Sequence, residues 1–478
     1  MRYNILWIDL ETLGGCMDKI KLLQARRAAV LSAGTRIRKA IASLVDADSF
    51  VELAGFSFSK NEFYGEEAAG EGVVTGFATI ADYPVYIAAQ NGEVLNGGMS
   101  KENCAKILRC LELAEKNSLP VVYILNSLGV QIGEGVTVLE GLASLLSKAA
   151  KLHGVVPQFA VINGEVYGQS ALLAACADFT FFMKDAVLAA DSPFVLSAKS
   201  GKNLPKEEVG GAKALAKANL VSFSADSIAD VRSDIGKILS LLPEYNDPVI
   251  ENGADLNRAV PALNEQCEAA VLIDAVFDKD SYVECGKGFA PEVRCVLGRT
   301  GGIAVAAVVF DSGGGVALNA NNVAKISSFV EFAAYYNLPF VTFVDAVGMQ
   351  ADMETANSLA LKNIFKLMES YDLLENAKIA VVYKKAVGLG YTLFAAKSMG
   401  FDYCYAFANA KIALFDEAKG AEIEFAAEKN ADKQKLAAKY AEENADPVNA
   451  AKNGYVDNII EPQFVKQYLI ASLQMLLK

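Results

Sequence analysis

The stretch NSLPVVYILNSLGVQ, residues 117–131, has a counterpart in YNLPFVTFVDAVGMQ, residues 336–350. Extended back without a gap to Ala105 and Ala324, the two segments share ten residues in 27 positions. Ordinary residue usage would produce about two such matches. Because the likeness runs through a whole helix-to-strand segment, the sequence predicts a duplicated domain.

Each copy predicts the same order of secondary structure. In the first copy, Ser100 is a candidate N-cap, and apolar residues follow at helical spacing to about Lys116. A proline ends the helix, VVYIL predicts a buried strand, and NSLG predicts a loop. The second copy repeats this order with strand FVTFV and loop DAVG. The order is typical of a parallel α/β sheet, so the loops at Gly129 and Gly348 are either site loops or simple turns.

Length and composition limit the possible classes of protein. A chain of 478 residues with 53% hydrophobic content predicts two domains, which we place at 1–245 and 246–478. The net charge of −13 argues against a nucleic-acid partner, because phosphate binding needs clustered Lys and Arg. No signal peptide, membrane-length apolar run or CxxC pair is present, so we expect a metal-free cytoplasmic protein with reduced thiols.

His153 is the only histidine, and its position after an apolar helix-like run favours a structural role over a catalytic one. A single histidine argues against Ser-His-Asp hydrolysis and metal sites built from several histidines. The motifs GxxxxGK[ST], GxGxxG and GxSxG are absent as well. An enzyme with this sequence is therefore expected to work with backbone groups.

Each half also contains a glycine-bearing segment that predicts a strand, a turn and a helix. FAVINGEVYGQSALLAACADF, residues 159–179, has Gly164 and Gly168 at the turn, and IAVVYKKAVGLGYTLFAAKSMGFDY, residues 379–403, has Gly388 and Gly390 there. Small residues allow a ligand to approach, and amides at such a turn point at developing negative charge. The alternative is that each glycine only changes the chain direction. Two turns in a duplicated frame favour two oxyanion holes.

Several stretches, in order, resemble the carboxyltransferase subunits of biotin-dependent acyl-CoA carboxylases and decarboxylases, of the propionyl-CoA carboxylase beta and methylmalonyl-CoA decarboxylase alpha type. The resemblance covers nearly the whole chain from about residue 36 and rests on these stretches: RIRKAIASLVDADSFVEL (36–53), GEGVVTG (70–76), VPQ (156–158), EEVGGA (207–212) and DPVNAAKNGYVDNIIEP (446–462). It implies an α/β fold made of two duplicated crotonase-like (ClpP/crotonase) domains.

The resemblance also implies a reaction without a side-chain base. In that family, carboxybiotin releases carbon dioxide, the ureido anion removes the α-proton of an acyl-CoA thioester, and the enolate captures the carbon dioxide; decarboxylases run the reverse. Two oxyanions develop, which implies two backbone oxyanion holes. By resemblance, the turn at Gly168 and Gln169 serves biotin, and the turn at Leu389 and Gly390 serves the thioester.

The implied cofactors are biotin on a partner carrier protein and a coenzyme A thioester substrate, with no metal. The implied partners are a biotin carboxyl carrier protein, a biotin carboxylase or a decarboxylase membrane subunit, and further copies of the chain in a dimer to hexamer. Tyr391 and Thr392 fall where the family shapes its acyl pocket. The phosphates of coenzyme A need a basic cluster, for which the candidates are Arg26, Arg27, Arg36, Arg38 and Lys39. A solvated helix face is the equal alternative for that cluster.

Departures from the family pattern keep two other functions open. The usual Gly-Gly of the first half is Gly168-Gln169 here, and the Gly-Gly-Ala pattern of the second half is Gly388-Leu389-Gly390. These changes motivate a catalytically degenerate paralogue that acts as a scaffold subunit. A crotonase-like hydrolase or isomerase without biotin is a weaker alternative, for which Glu134 and Glu165 are the candidate carboxylates.

Overall fold

The computed structural model describes residues 19–57, 60–61, 66–67, 69–243, 257–265, 267–426 and 432–477. The chain divides into two compact units, Met1–Gly236 and Lys237–Lys478, called unit 1 and unit 2 below. The boundary predicted at residues 245 and 246 lies outside the described residues and stays a prediction.

Unit 1 is built on a mixed sheet whose central strands are parallel. The strands of the unit are β1 (Val51–Leu53), β2 (Lys60–Asn61), β3 (Glu66–Glu67), β4 (Val73–Ile80), β5 (Tyr83–Gln90), β6 (Val121–Ser127), β7 (Gln158–Tyr167), β8 (Phe179–Met183), β9 (Val187–Ala189) and β10 (Phe223–Ala225), of which β2 and β3 form a separate antiparallel pair. The order in the sheet is β1-β4-β5-β6-β7-β8-β10, and β9 pairs with β7. The pairs β1–β4 and β4–β5 are antiparallel, whereas every pair from β5 to β10 is parallel.

The helices of unit 1 connect these strands. They are α1 (Lys19–Ser32), α2 (Thr35–Leu44), α3 (Lys101–Asn117), α4 (Val136–Lys151), α5 (Ala171–Cys176), α6 (Pro193–Ser200), α7 (Lys206–Gly210), α8 (Ala212–Ala216) and α9 (Ile228–Leu241), which runs into unit 2. As predicted, Ser100 caps α3, and its side chain accepts the amide of Asn103. The strand β6 is buried on both faces, which explains its continuous apolar sequence.

Unit 2 repeats this plan in its own sheet. Its strands are β11 (Val283–Cys285), β12 (Val293–Thr300), β13 (Ile303–Phe310), β14 (Val316–Leu318), β15 (Phe340–Met349), β16 (Lys378–Val387), β17 (Tyr403–Phe407), β18 (Lys411–Ala413) and β19 (Asn458–Ile460). The order is β11-β12-β13-β15-β16-β17-β19, with β14 on β15 and β18 on β16. Its helices are α10 (Ala262–Glu265), α11 (Ala269–Val276), α12 (Ala320–Tyr335), α13 (Met353–Ala356), α14 (Ala360–Leu373), α15 (Leu389–Phe394), α16 (Glu417–Glu424), α17 (Lys433–Asn444), α18 (Pro447–Lys452) and α19 (Val465–Leu476).

The duplication is visible in a shared irregularity at the carboxyl end of each sheet. In unit 1, Leu125 pairs with Ile162 and Ser127 with Val166, so Asn126 alone faces three residues of β7. In unit 2, Val344 pairs with Val382 and Ala346 with Ala386, so Asp345 faces three residues of β16. Such a bulge re-aims the side chains of the longer strand. The two bulges lie at corresponding positions of the repeat.

The two copies differ just after the bulge. Gly129 lies in a loop with φ +121°, so the predicted loop is present, and its role as a site loop stays a prediction. The loop predicted at Gly348 is wrong, because β15 continues through Met349. The physical reason is the extra strand β14, which pairs with this segment, whereas unit 1 has only an isolated bridge between Met99 and Val130.

Candidate functional site

The predicted turn in unit 1 follows β7 at the carboxyl end of the sheet. Gly168 begins a short 3₁₀ turn, Gly168–Ser170, with φ +68°, and α5 follows directly. A Cβ atom on Gly168 would lie 4.0 Å from the Cα of Gly129, so the two glycines that the sequence singled out are neighbours. Ser170 is buried and donates its hydroxyl to the carbonyl of Tyr167, which fixes the turn.

The predicted turn in unit 2 has the same place after β16. Gly388 has φ +54°, and its amide donates to the carbonyl of Ala413 on β18. A Cβ atom on Gly390 would lie only 2.2 Å from the carbonyl oxygen of Ala346. Glycine is therefore required at residue 390 by the close approach of α15 to β15. The side chain of Leu389 is exposed, as is that of Gln169 in unit 1.

Both turns present backbone amides near the start of a helical segment. Within the described part of the chain, the amides of Gln169, Leu389 and Gly390 donate to no protein acceptor. First-turn amides have no partner inside their own helix, so they are available to a ligand. Each turn therefore has the donors that an oxyanion hole needs.

A cavity of about 580 Å³ lies in unit 1 at this end of the sheet. It is lined by Arg36, Ile37, Gln90, Asn91, Gly92, Glu93, Asn96, Asn126, Leu128, Asn163 and Glu165. Gln90 is almost fully buried, and its Oε1 accepts the amide of Asn126. Among the described residues, its Nε2 has no hydrogen-bond partner. A buried donor without an acceptor is costly, so this atom is available to a ligand that offers an acceptor.

Two glycines hold the side chain of Asn126 at the cavity wall. A Cβ atom on Gly92 would lie 2.7 Å from Asn126 Nδ2, and one on Gly164 would lie 2.6 Å from Asn126 Oδ1. Both distances are shorter than any normal contact of a Cβ atom. The side-chain amide of Asn126 therefore has room in this position only because residues 92 and 164 lack side chains. The predicted site residue Gly164 has a packing role that positions a cavity-lining amide.

Unit 2 has different residues at the positions of Gly92, Asn126 and Gly164. They are, in that order, Ser312, Asp345 and Lys384. Asp345 is buried, and its Oδ2 accepts the hydroxyl of Ser312 at 3.1 Å. Lys384 Nζ donates to the carbonyl of Ser312 at 3.2 Å and lies 3.9 Å from Asp345 Oδ2. Burial raises the pKa of Asp345, and the Lys384 ammonium opposes that shift.

The cavity of about 550 Å³ in unit 2 borders the glycine turn on another side. It is lined by Gly388, Leu389, Tyr391, Thr392, Ile412, Ala413, Leu414, Asn444, Asn449, Ala450 and Asn453. The structure thus brings the predicted residues Tyr391 and Thr392 to the turn. All of these lining side chains are of uncharged types. Burial raises the pKa of Tyr391 to about 12, so its hydroxyl stays protonated at neutral pH.

The predicted basic cluster is only partly available to a ligand. Arg36 lines the unit 1 cavity with a side chain that is 90% exposed. Arg38 instead forms two hydrogen bonds to the Glu52 carboxylate, at 2.6 and 2.9 Å. Lys39 and Arg27 are exposed, and Arg26 is half-buried. Arg36 is thus the member of the cluster that borders the cavity.

The carboxylates considered for a hydrolase or isomerase both have structural partners. Glu134 accepts the amide of Lys101 at the start of α3, and burial raises its pKa. Glu165 lines the unit 1 cavity, where the hydroxyl of Tyr167 and the ammonium of Lys206 lower its pKa. His153 follows α4, and its Nδ1 lies 3.4 Å from Asp178 Oδ1. These contacts favour structural roles.

The residues at the bulges were missed in the sequence analysis. Asn126 and Asp345 occupy the same position in the aligned repeat. The exchange of an amide for a carboxyl group there was a visible signal that the two halves differ at this position. Gln90 gave no signal, because its buried and unpartnered Nε2 appears only when the strands pack. In the described part of the chain, no cluster of His, Cys, Asp and Glu suits a metal ion. No helix among the described residues has the length and apolarity needed to cross a bilayer.

Comparisons with known proteins agree with these features. Residues 32–478 match the carboxyl transferase domain family. The chain is 30% identical over 491 residues to methylmalonyl-CoA decarboxylase subunit alpha of Veillonella parvula, which covers 96% of each chain. It is 28% identical over 453 residues to the propionyl-CoA carboxylase beta chain of Cereibacter sphaeroides, covering 90% of this chain and 88% of the relative.

Among solved structures, transcarboxylase 12S is similar with a TM-score of 0.90 and 26% identity over 97% of both chains. That protein is described as a hexamer, with methylmalonyl-coenzyme A and methylmalonic acid bound. A long-chain acyl-CoA carboxylase shows the same fold with a TM-score of 0.82. The α/β fold of two duplicated crotonase-like domains, expected from the sequence, is confirmed.

Proposed function

This chain belongs to the carboxyl transferase family, and on that premise we propose how its two turns divide the reaction. It is a biotin-dependent acyl-CoA carboxyltransferase component, because its relatives transfer a carboxyl group between biotin and an acyl-CoA. The observation that carries the division of roles is the presence of unpaired amides at two corresponding turns, one in each unit. Two oxyanions in one reaction require two such sets of donors.

The amide groups of the two cavities support an assignment of the halves opposite to the one that the resemblance suggested. Coenzyme A is rich in amide groups, and the unit 1 cavity offers the side-chain amides of Gln90, Asn126 and Asn163, while its charged lining residues are the cation Arg36 and the carboxylates Glu93 and Glu165. The unit 2 cavity is lined by neutral side chains. We therefore assign the thioester to the turn at Gly168 and Gln169, and biotin to the turn at Leu389 and Gly390.

Residues of unit 2 fit biotin by size and polarity. A cavity of about 550 Å³ is in the range that binds small molecules, and its lining combines apolar side chains with free amides. Biotin, when bound there, carries the carboxyl group and presents a ureido oxygen that becomes anionic. The amides of Leu389 and Gly390 would donate to that oxygen. Tyr391 and Thr392 would bound the pocket and exclude water from it.

Residues of unit 1 would act on the acyl group. The amide of Gln169, which follows Gly168 in the turn, would donate to the thioester oxygen while negative charge develops on it, as the α-proton leaves or carbon dioxide departs. This stabilisation acts most strongly in the transition state, and it requires no side-chain base. We propose methylmalonyl-CoA as the first substrate to test. One relative is named methylmalonyl-CoA decarboxylase, and the similar transcarboxylase 12S structure has methylmalonyl-coenzyme A bound.

Further copies of this chain and a carrier protein are the proposed partners. In unit 1, Ile132, Val136 and Leu139 expose apolar side chains at the start of α4, and in unit 2, Leu361 and Phe365 do so on α14. Large exposed apolar side chains on corresponding helices suit contacts between copies. A homo-oligomer, dimer to hexamer, is proposed on this basis, with a biotin carboxylase or decarboxylase membrane subunit as a further partner.

A cytoplasmic location is proposed as well, because the seven cysteines that the structure describes are free thiols. The oligomer proposal is tested by introducing Leu361→Asp together with Phe365→Asp and measuring the mass in solution by light scattering. We expect the mass of the variant to fall. A monomeric mass for the unaltered chain would contradict the proposal.

The scaffold alternative is kept because Gln169 and Leu389 replace small residues of the family pattern. One experiment separates it from the enzyme. The purified chain is incubated with free biotin and methylmalonyl-, malonyl- or glutaconyl-CoA, and the decarboxylated product is followed by mass spectrometry. Biotin-dependent loss of carbon dioxide supports the enzyme. Binding of CoA without turnover of any of the three supports the scaffold, and absence of CoA binding contradicts the assignment of unit 1.

A further inference from the structure

We infer that three positions at the carboxyl end of each sheet decide which half of the molecule accepts coenzyme A. In unit 1 they are Gly92, Asn126 and Gly164, called the open triad below. In unit 2 they are Ser312, Asp345 and Lys384, called the filled triad. The inference rests on the proposed assignment of the CoA thioester to unit 1, and it names the residues that determine that specificity.

The open triad forms part of the cavity wall. Gly92 and Asn126 line the 580 Å³ cavity, and the remaining member, Gly164, lies between the lining residues Asn163 and Glu165. The side-chain amide of Asn126 lies between the two glycines. Its Nδ2 is 2.7 Å from the position of a Cβ atom on Gly92, and its Oδ1 is 2.6 Å from that of a Cβ atom on Gly164. A side chain at residue 92 or 164 would therefore require the side-chain amide of Asn126 to shift.

The filled triad uses the same space for protein side chains. The hydroxyl of Ser312 donates to Asp345 Oδ2 and accepts the amides of Gly314 and Gly315. The Lys384 side chain reaches across to the carbonyl of Ser312 at 3.2 Å. Its ammonium also lies 3.9 Å from the buried carboxylate of Asp345. A ligand that entered here would have to displace a lysine and leave a buried carboxylate without its cation, which is unfavourable.

The buried Nε2 of Gln90 gives unit 1 a hydrogen-bond donor that a ligand can use, whereas the atom of the filled triad that is buried without a partner in the described part of the chain, Asp345 Oδ1, is an acceptor of a carboxyl group and would not favour an anionic ligand. Gln90 is 1% exposed and lines the same cavity, yet its Nε2 has no partner among the described residues. At the corresponding position of unit 2, Phe310 is fully buried and needs no partner. At the position of Gln90, unit 1 therefore has a polar side chain where unit 2 has an apolar one, and at the triad unit 1 has open space where unit 2 has side chains. The amide-rich thioester fits the first environment.

The decisive variant transplants the filled triad into unit 1, as Gly92→Ser, Asn126→Asp and Gly164→Lys together. This combination is compatible with the backbone frame, because unit 2 folds with it. Free CoA is titrated into the full-length chain by isothermal calorimetry. We expect the Kd for CoA to rise by about 30-fold or more, since the new side chains occupy cavity space while the added Lys and Asp charges offset each other.

A milder variant covers the case in which the triple variant does not fold. Gly164→Ala adds one methyl group against the Asn126 amide, and Gly164 does not have a positive φ that alanine would strain. We expect an increase in Kd of about 5-fold. The matched control is Gly313→Ala, because a Cβ atom there meets nothing within 4 Å, and its Kd is expected to stay unchanged.

The possible outcomes separate this inference from the function on which it rests. A folded triple variant, or a folded Gly164→Ala variant if the triple one fails, that binds CoA within twofold of the unaltered chain would overturn the inference alone. An unaltered chain that binds no CoA would overturn the assignment of unit 1 and the inference with it. For methylmalonyl-CoA turnover, we expect KM to rise more than kcat falls, because the triad touches the cavity and not the turn.

Discussion

The two bulges show how one backbone frame can serve two different partners. In unit 1, Asn126 lies between two glycines and borders a polar cavity, whereas in unit 2, Asp345 lies between a serine and a lysine that bond with it or approach it. The surrounding strands pair in the same order and show the same register shift. A duplicated frame therefore preserves the turn that carries the amides, while side chains a few residues away decide what can approach it.

The largest expected effect concerns what the two units share, which is the pair of amide-bearing turns. Gln169→Pro and Leu389→Pro each remove one amide hydrogen near the start of a helical segment, where proline is tolerated. We expect each to lower kcat for decarboxylation about 10²- to 10³-fold, as loss of an oxyanion-hole donor does.

The controls for these variants are Gln169→Ala and Leu389→Ala, which keep the amide and remove only the side chain. Their kcat is expected to stay within a few-fold of the unaltered value, with circular dichroism and melting temperature confirming the fold of all four. Equal losses in the alanine and proline variants would show that the side chains, and not the amides, are needed.

A second shared device is a buried lysine on the helix that precedes the central strand. Lys106 on α3 donates to the carbonyls of Gly70 and Val73, and Lys325 on α12 donates to those of Phe289 and Val293. Each lysine ties the segment before the first long strand to the helix. The carboxylates of Glu52 and of the fully buried Glu71 favour the charged form of Lys106. A methionine at either position keeps the apolar stem but leaves the carbonyls without their donor.

We expect Lys106→Met to lower the free energy of unfolding by about 3 kcal/mol, because the Glu71 charge also loses its neighbour. Lys325→Met should cost about 2 kcal/mol, mainly for the carbonyls that lose their donor. Scanning calorimetry measures both. A larger loss from Lys325→Met than from Lys106→Met would contradict the role given to Glu71.

The pH dependence of stability tests the burial of Lys106 by another route. Burial lowers the pKa of Lys106 from its ordinary 10.5 to about 8. Between these two values the unfolded chain binds more protons at this residue than the folded chain, so its contribution to stability rises with pH. We expect the difference in melting temperature between the unaltered chain and Lys106→Met to widen from pH 8 to pH 10. A constant difference would mean that Lys106 titrates as an exposed lysine.

A smaller effect is expected from Asp345→Asn, which gives unit 2 the residue that unit 1 has at this position. Burial raises the pKa of Asp345, so its ionisation on the way to neutral pH stabilises the unfolded chain more than the folded one. Asparagine can still accept the Ser312 hydroxyl. We expect the free energy of unfolding at pH 7 to increase by about 1 kcal/mol.

The gain from Asp345→Asn should disappear as the pH falls below 3.8, the ordinary pKa of an aspartate, because the carboxyl group is then protonated in the folded and in the unfolded chain. Melting temperatures at several pH values measure this. A variant that is less stable at pH 7 would show that the attraction between Asp345 and Lys384 exceeds the cost of burying the carboxylate.

The smallest effect belongs to Arg36, the exposed cation at the unit 1 cavity. We expect Arg36→Ala to raise the Kd for CoA about threefold at low ionic strength and less at 0.5 M salt, because exposed charges are screened. Lys39→Ala is the matched control, since Lys39 is exposed but does not line the cavity. Equal effects from both variants would indicate a diffuse attraction and no specific contact.

Much of the fold follows from local patterns in the sequence. The N-cap at Ser100, the apolar strands and the glycine turns at Gly168 and Gly388 lie where their residues predict them, because capping, periodicity and the need for positive φ act over a few residues. The repeat itself identified the corresponding positions in the two halves. The loop expected at Gly348 is wrong because its partner strand β14 lies about 30 residues earlier in the chain.

The assignment of the sites needed the packed structure. Sequence spacing placed Arg38 with Arg36 as phosphate ligands, but Arg38 pairs with Glu52 on β1. Likewise, the sequence treated Gly164 as part of the turn, and only the packed strands show that it makes room for Asn126. Such contacts join residues that are distant in the chain, so no local sequence pattern predicts them.

The sequence by itself determined that this protein is a duplicated α/β chain with two amide-bearing turns, because helix caps, strand periodicity and glycine turns depend on neighbouring residues. Only the tertiary structure decided which of the two halves is open. Whether a half is open depends on whether residues at the ends of three different strands leave space or fill it. The distances between these residues are set only when the strands pack into the sheet.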